Sequence, residues 1–277
     1  MKIDTHQHFW AYNAREFGWM GPGMEILKRD YLPPDLAPLL MSARIDGTVA
    51  VQARQCLEES RWLLELADQY AFIKGVVGWV DLCSTQADEE LSTHARHRKF
   101  RGVRHILHDE PDDRFMLRED FVRGLGCLAK HKLTYDLLLF PRHLPVACEL
   151  VKRFPNQPFV VDHLAKPLIK ARVLSPWEAD IRRLATLPNV FCKVSGMVTE
   201  AGWQHWRPAD FTPYLDVIFE CFGPKRVMAG SDWPVCTLAG NYSQVMRVPA
   251  DYLGKLSTDE QADVWGENAQ RFYGIAD

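Results

Sequence analysis

The rhythm of the chain restricts its fold more than any other feature. Short apolar runs of β type alternate with longer runs that carry apolar residues at helical spacing. The β-type runs are Ile3–His8, Gly47–Gln52, Phe72–Val80, Phe100–His105, Leu133–Leu138, Phe159–His163, Val190–Ser195 and Arg226–Gly230. Several are apolar on both faces, as in Val49-Ala50-Val51 and Phe159-Val160-Val161. Such strands need cover on both sides, which a parallel sheet wrapped by helices supplies. Helical runs at Leu57–Tyr70, Asp120–His131, Leu144–Phe154, Trp177–Leu187 and Thr212–Phe222 fill most of the gaps. A last helix is expected with Thr258 as its cap, Gln261 as the capping-box partner, and an end at Gly274 just past Tyr273.

Eight strands alternating with helices in 277 residues fit a single α/β domain, residues 1–277. At about 30 residues per βα unit the sheet is expected to close into a (β/α)₈ TIM-type barrel. An open doubly wound sheet is the main alternative, but the Gly-x-Gly-x-x-Gly dinucleotide fingerprint is missing. Two long loops, Phe9–Tyr31 and Gly196–Phe211, follow the first and seventh strands and are expected at the C-terminal face. With 47% of residues hydrophobic, the core needs no disulfides. The seven cysteines form no Cys-x-x-Cys pair and read as free thiols of a reducing compartment. A formal charge of −3 argues against wholesale binding to nucleic acid or membrane. The N-terminus has no apolar signal core and no run suits a bilayer span, so a cytoplasmic protein is expected.

Three constellations carry chemistry. The first is Asp4-Thr5-His6-Gln7-His8, ending the first strand. Side chains alternate along a strand, so His6 and His8 share a face, and together they can grip a metal or a developing oxyanion. Taken alone, a His-x-His is as readily a hydrogen-bonded pair. The second is Gly230-Ser231-Asp232-Trp233-Pro234, where Asp232 meets the barrel mouth and can take a proton from an attacking water. Ser-Asp ahead of Pro is also ordinary turn chemistry. The third is Val160-Val161-Asp162-His163-Leu164-Ala165-Lys166-Pro167, which brings His163 out at the end of the sixth strand.

In this order the motifs resemble the amidohydrolase superfamily, in its amidohydrolase-related branch of lactonases and ring-cleavage decarboxylases. Gly102-Val103-Arg104-His105, Lys193-Val194-Ser195-Gly196 and Glu267-Asn268-Ala269-Gln270-Arg271-Phe272-Tyr273 extend the resemblance over nearly the whole chain. It is similar most of all to the sugar-lactonase group, the L-fuconolactonase-like enzymes. The resemblance implies Asp232 as general base, His6 and His8 as metal ligands or carbonyl-holding groups, and His163 as a carbonyl polariser. It also implies substrate contacts from Arg104 and His105. The fifth strand, Leu133-Thr134-Tyr135-Asp136-Leu137-Leu138, lacks the histidine that metal-dependent members often place there. His131 lies before that strand and His143 beyond it. No cofactor is therefore expected to be required, and a divalent metal such as zinc on His6, His8 and Asp232 is expected to be weakly held or dispensable.

The expected reaction is hydrolysis of a sugar lactone by water activated at Asp232, with His8 and His163 in catalytic roles. Trp10 in the first loop, among Phe9, Tyr12, Phe17 and Trp19, offers an aromatic face for a sugar ring, and Asp136 a partner for a hydroxyl. A small-molecule lactone is the expected partner, and the oligomeric state is not legible. Alternatives on the same fold are a decarboxylase or hydrolase of an aromatic or pyrone carboxylate, for which Arg54 and Arg142 could join Arg104, and a zinc-dependent amidase or deaminase. A non-catalytic sugar-binding barrel is the alternative from another class.

Overall fold

The computed structural model describes residues 1–276. Each expected strand is present, β4 with the expected bounds and the others trimmed: β1 Ile3–Gln7, β2 Gly47–Val51, β3 Ile73–Gly78, β4 Phe100–His105, β5 Thr134–Leu137, β6 Phe159–Val161, β7 Val190–Val194 and β8 Val227–Ala229. All neighbours pair in parallel, in sequence order. The sheet closes where the end of β1 meets the residues after β8. Gln7 bridges Trp233, the His8 N–H donates to the Trp233 carbonyl at 2.7 Å, and the Asp232 N–H donates to the His6 carbonyl at 2.8 Å. Side chains reinforce this seam. Asp4 accepts from the Ser231 N–H at 2.8 Å, the Ser231 hydroxyl at 2.6 Å and the Tyr242 hydroxyl at 3.0 Å. The single-barrel reading of the strand pattern is correct, and the first residue of the opening motif closes the barrel.

The helices are α1 Pro33–Ala43, α2 Leu57–Gln69, α3 Ala87–Ala95, α4 Glu119–Leu125, α5 Leu144–Arg153, α6 Trp177–Ala185, α7 Pro208–Phe222, α8 Tyr242–Leu253, α9 Thr258–Ala262 and α10 Asn268–Tyr273. Three of the expected helices are rearranged, and α1, α3 and α8 have no counterpart among the helical runs read from sequence. The Asp120–His131 run divides into α4 and a short 3₁₀ turn, Leu128–His131. Helix α7 starts four residues early, because Pro208 tolerates a first turn and Asp210 accepts from the Arg207 N–H at 2.8 Å. The last helix is capped one residue earlier than expected. Ser257 accepts from Glu260 N–H at 3.3 Å, and Glu260 returns the bond to Ser257 N–H at 2.9 Å. A π turn, Asp263–Glu267, then separates α9 from α10, and Gly274 at φ 62° ends the segment as expected.

The first long loop is not slack. Trp10 and Tyr31 form an antiparallel bridge at its ends, and Trp10, Phe17 and Tyr31 pack into the core beneath it. All seven cysteines are free. Among the described residues, no helix is long and apolar enough to cross a membrane.

Candidate active site

Strand β1 delivers His6 and His8 to one side, as alternation requires, with ring centroids 5.0 Å apart. His8 Nδ1 lies 2.8 Å from the Val51 carbonyl, an acceptor only, so Nδ1 donates there. A neutral His8 then offers a lone pair at Nε2, 3.4 Å from Asp232 Oδ1. Two acceptors facing each other at that distance leave a place for a proton donor, such as a water, or for a cation.

Asp232 sits just beyond β8 at φ 58°, a left-handed conformation that few non-glycine residues adopt. The turn is held because the Ser231 hydroxyl accepts from the Trp233 N–H at 3.0 Å. His163 also has positive φ, 54°, as do the three residues after it. Its Nδ1 is 2.9 Å from Ser195 Oγ, and its Nε2 is 3.8 Å from Asp232 Oδ1. Gly196 makes this approach possible: a Cβ there would lie 2.5 Å from His163 Nδ1. Strained backbone at two adjacent side chains is a common mark of a functional site. Burial alone would raise the Asp232 pKa, but a proton on the facing His163 or His8 nitrogen, together with the Lys166 ammonium, outweighs it and holds the carboxyl below its usual value. Burial pushes the His163 imidazole well below its usual pKa.

Arg104 enters from β4. Its Nη1 lies 3.2 Å from His6 Nε2 and 3.1 Å from Asp162 Oδ2, and its Nη2 donates to the Gln52 carbonyl. Beneath it lies an ion network that motif reading did not identify. Lys193 is fully buried and reaches Asp136 Oδ2 at 2.5 Å, Asp162 Oδ1 at 3.0 Å and His6 Nδ1 at 3.2 Å. Tyr273, from the C-terminal helix, donates to Asp136 Oδ2 at 2.9 Å. Burial works against the Asp162 carboxylate, yet Lys193, His6 and Arg104 keep its pKa well below the usual value. At Asp136 burial prevails and raises the pKa to about 6. Only the residue types were visible in sequence; contacts across the barrel axis join residues far apart in the chain.

Above these groups is a cleft of about 200 Å³. His8, Arg104, His163 and Asp232 lie along it with Lys166, His108 and Asp109, while Trp19, Ile106, Leu138 and Val235 supply apolar wall. Three expected substrate contacts are elsewhere. Trp10 is buried under the loop, its indole N–H donating to the Arg29 carbonyl at 2.9 Å, and Trp19 takes the wall position. Asp136 lies below the floor, tied to Lys193. His105 points aside to Glu110 Oε1 at 2.7 Å, because side chains on β4 alternate and Arg104 holds the inward face. His131 and His143 are engaged by Asp88 at 2.7 Å and Asp113 at 2.9 Å, outside the cleft.

Comparison with known proteins fits this geometry. The family model described as Amidohydrolase matches residues 3–275. The chain belongs to the amidohydrolase family. It is 42% identical to an L-fucono-1,5-lactonase of Burkholderia multivorans, over 99% of this chain and 96% of that one. It is 38% identical to an L-fucono-1,5-lactonase of Burkholderia ambifaria, with the same coverage. The crystal structure of an amidohydrolase from Burkholderia multivorans with bound zinc matches over the full length of both chains, at 42% identity and a TM-score of 0.96.

The donors of this amidohydrolase suit a divalent ion in part. His6, His8 and Asp232 bring ligand atoms within 4.8 Å of one another. Zinc bonds of about 2.0–2.2 Å need tetrahedral ligands roughly 3.3–3.6 Å apart. His8 Nε2 and Asp232 Oδ1 already stand at 3.4 Å. His6 Nε2 is 3.9 Å from Asp232 Oδ1, and the Arg104 guanidinium shares its lone pair. The His8–Asp232 spacing suits such an ion, whereas the His6 lone pair it would need is taken up by Arg104.

Proposed function

We propose that this amidohydrolase hydrolyses a sugar lactone to its open-chain sugar acid, with L-fucono-1,5-lactone the first substrate to try. The observation that carries the reading is the facing pair of acceptors, His8 Nε2 and Asp232 Oδ1, at the floor of a cleft of single-sugar size. It is supported by full-length similarity to two L-fucono-1,5-lactonases.

Water held between those acceptors donates to Asp232 and attacks the lactone carbonyl. A new C–O bond forms, and the carbonyl electrons move onto oxygen. Arg104 and His163 face that oxygen as donors. With Ser195 donating to Nδ1, His163 keeps its proton on Nε2, on the cleft side. When the carbonyl re-forms, the ring C–O bond breaks, and the leaving alkoxide takes the proton that Asp232 removed from water. A carboxylate held below its usual pKa is a weak base, so the chemistry suits an activated ester better than an amide. A divalent ion on His8 and Asp232 would polarise the carbonyl or acidify water when bound; its hold is expected to be weak. His108 and Lys166 are placed to meet the sugar hydroxyls, and Trp19 an apolar ring face.

The carboxylate-substrate alternative loses its extra arginines. Arg54 is engaged by Glu16 at 2.6 Å, and Arg142 by Asp113 at 2.8 Å. The test is acid release from a panel of aldonolactones, followed with a pH indicator. Hydrolysis of a 6-deoxy-aldonolactone well above background is expected. No hydrolysis of any lactone, with turnover of a pyrone or aromatic carboxylate, would replace the reading.

A further inference from the structure

Just past β6 the backbone is left-handed for four residues in a row. His163, Leu164, Ala165 and Lys166 have φ of 54°, 55°, 58° and 50°, with no glycine among them. The Lys166 N–H closes this turn on the His163 carbonyl at 2.7 Å, and both side chains line the cleft. Backbone of this kind persists only where its surroundings over-determine it. Glu200 supplies part of that restraint. It ends a short turn after β7, Val198–Glu200, and grips the β6 loop twice. Its carbonyl accepts from the Lys170 N–H at 2.9 Å, and its Oε1 accepts from Lys166 Nζ at 3.2 Å. The two side chains are only 21% and 23% exposed, so the pair escapes much of the screening that weakens surface ion pairs.

Among the described residues Glu200 is the one hydrogen-bond partner of the Lys166 ammonium, which leaves two of its three N–H groups for the cleft. Phe140 links that ammonium to His108: its ring lies 5.9 Å from Lys166 Nζ and 4.7 Å from the His108 ring. Burial, with the Lys166 charge adding to it, pushes the His108 pKa down to about 3, so the imidazole is neutral and can both donate and accept. A fixed cation with two free donors beside a neutral imidazole suits neighbouring hydroxyls on a sugar ring. Glu200 itself stands outside the cleft and lines a separate groove. We propose that Glu200 is a positioning residue: it holds the Lys166 ammonium over the cleft, and through Lys166 it sets the preference for a hydroxylated lactone over a bare one. The proposal rests on the lactonase reading and adds the group that selects the substrate.

The experiment measures kcat and KM for L-fucono-1,5-lactone, and the Ki of δ-valerolactone as its competitor. The competitor has the same six-membered ring without hydroxyls. Wild type, Glu200→Gln, Lys166→Met and the double variant are compared. In Glu200→Gln, KM for the sugar lactone is expected to rise several-fold with kcat within about a factor of two, the mark of lost uniform binding. Lys166→Met should raise KM about ten- to a hundredfold, the scale of one hydrogen bond to a charged group. In both variants the ratio of Ki to KM falls. Adding Glu200→Gln to Lys166→Met lowers it no further, because Glu200 acts through Lys166. A residue that only braces the loops would shift KM and Ki alike. An unchanged ratio in Glu200→Gln, or additive effects in the double variant, beside normal wild-type turnover, overturns the proposal and leaves the lactonase reading intact. A wild type inactive on the sugar lactone overturns that reading, and the proposal with it.

Discussion

The proposed base, Asp232, lies beside His8 Nε2 at the cleft floor, its pKa held below the usual value. Asp232→Asn keeps the shape and removes the basicity, so kcat is expected to fall by about 10²–10⁴ with the melting temperature little changed, as steady-state assay and thermal melts would show. Glu59 shows the opposite balance. It accepts from the Ala53 and Arg54 N–H groups at 2.9 and 2.8 Å, but burial prevails and lifts its pKa from 4.5 to about 7. The folded state thus favours its protonated form. That contribution is complete below pH 4.5 and is lost as pH rises through about 7. Glu59→Gln stays neutral, so its stability relative to wild type should climb by about 3 kcal/mol across this interval and then level off. Parallel denaturant titrations at pH 4.5 and 8 check the sign. The histidines and Asp232 were legible in sequence because each ends a strand. Lys193 and Asp162 carried no such signal as site residues, since their importance arises from contacts across the barrel axis. Trp10 and Trp19 could not be told apart before packing showed which one the loop buries.

At the scale of elements, strands apolar on both faces announced themselves, while α1, α3 and α8 had no clear sequence mark. Helix α1 begins on a proline pair and α8 carries an internal proline, features that read as breaks. The loop between β1 and α1 matters most for the cleft, since it supplies Trp19. Arg54 ties that loop to the barrel through Glu16 at 2.6 Å and Glu59 at 3.5 Å, and lies over the Phe17 ring at 5.8 Å. Arg54→Ala should loosen the loop without touching the reacting groups. KM for the lactone is expected to rise several-fold with kcat within about a factor of two, the pattern of lost uniform binding. Equal falls in kcat and kcat/KM would place Arg54 in the chemistry instead.

For the whole molecule, the seam between β1 and β8 links stability with function, because the same turn closes the barrel and holds Asp232. Ser231→Ala removes a buried hydroxyl that donates to Asp4 and accepts from the Trp233 N–H. It should cost about 1–3 kcal/mol in unfolding free energy and also lower kcat, since Asp232 is the next residue. The measurement that bears most directly on the central claim is hydrolysis of L-fucono-1,5-lactone by chelator-treated enzyme, wild type beside Asp232→Asn. Rapid acid release by wild type, nearly abolished in the variant and surviving chelation, is the predicted result. Wild-type activity that vanishes on chelation and returns with zinc, or a variant that turns over normally, would contradict the claim that Asp232 activates water on its own.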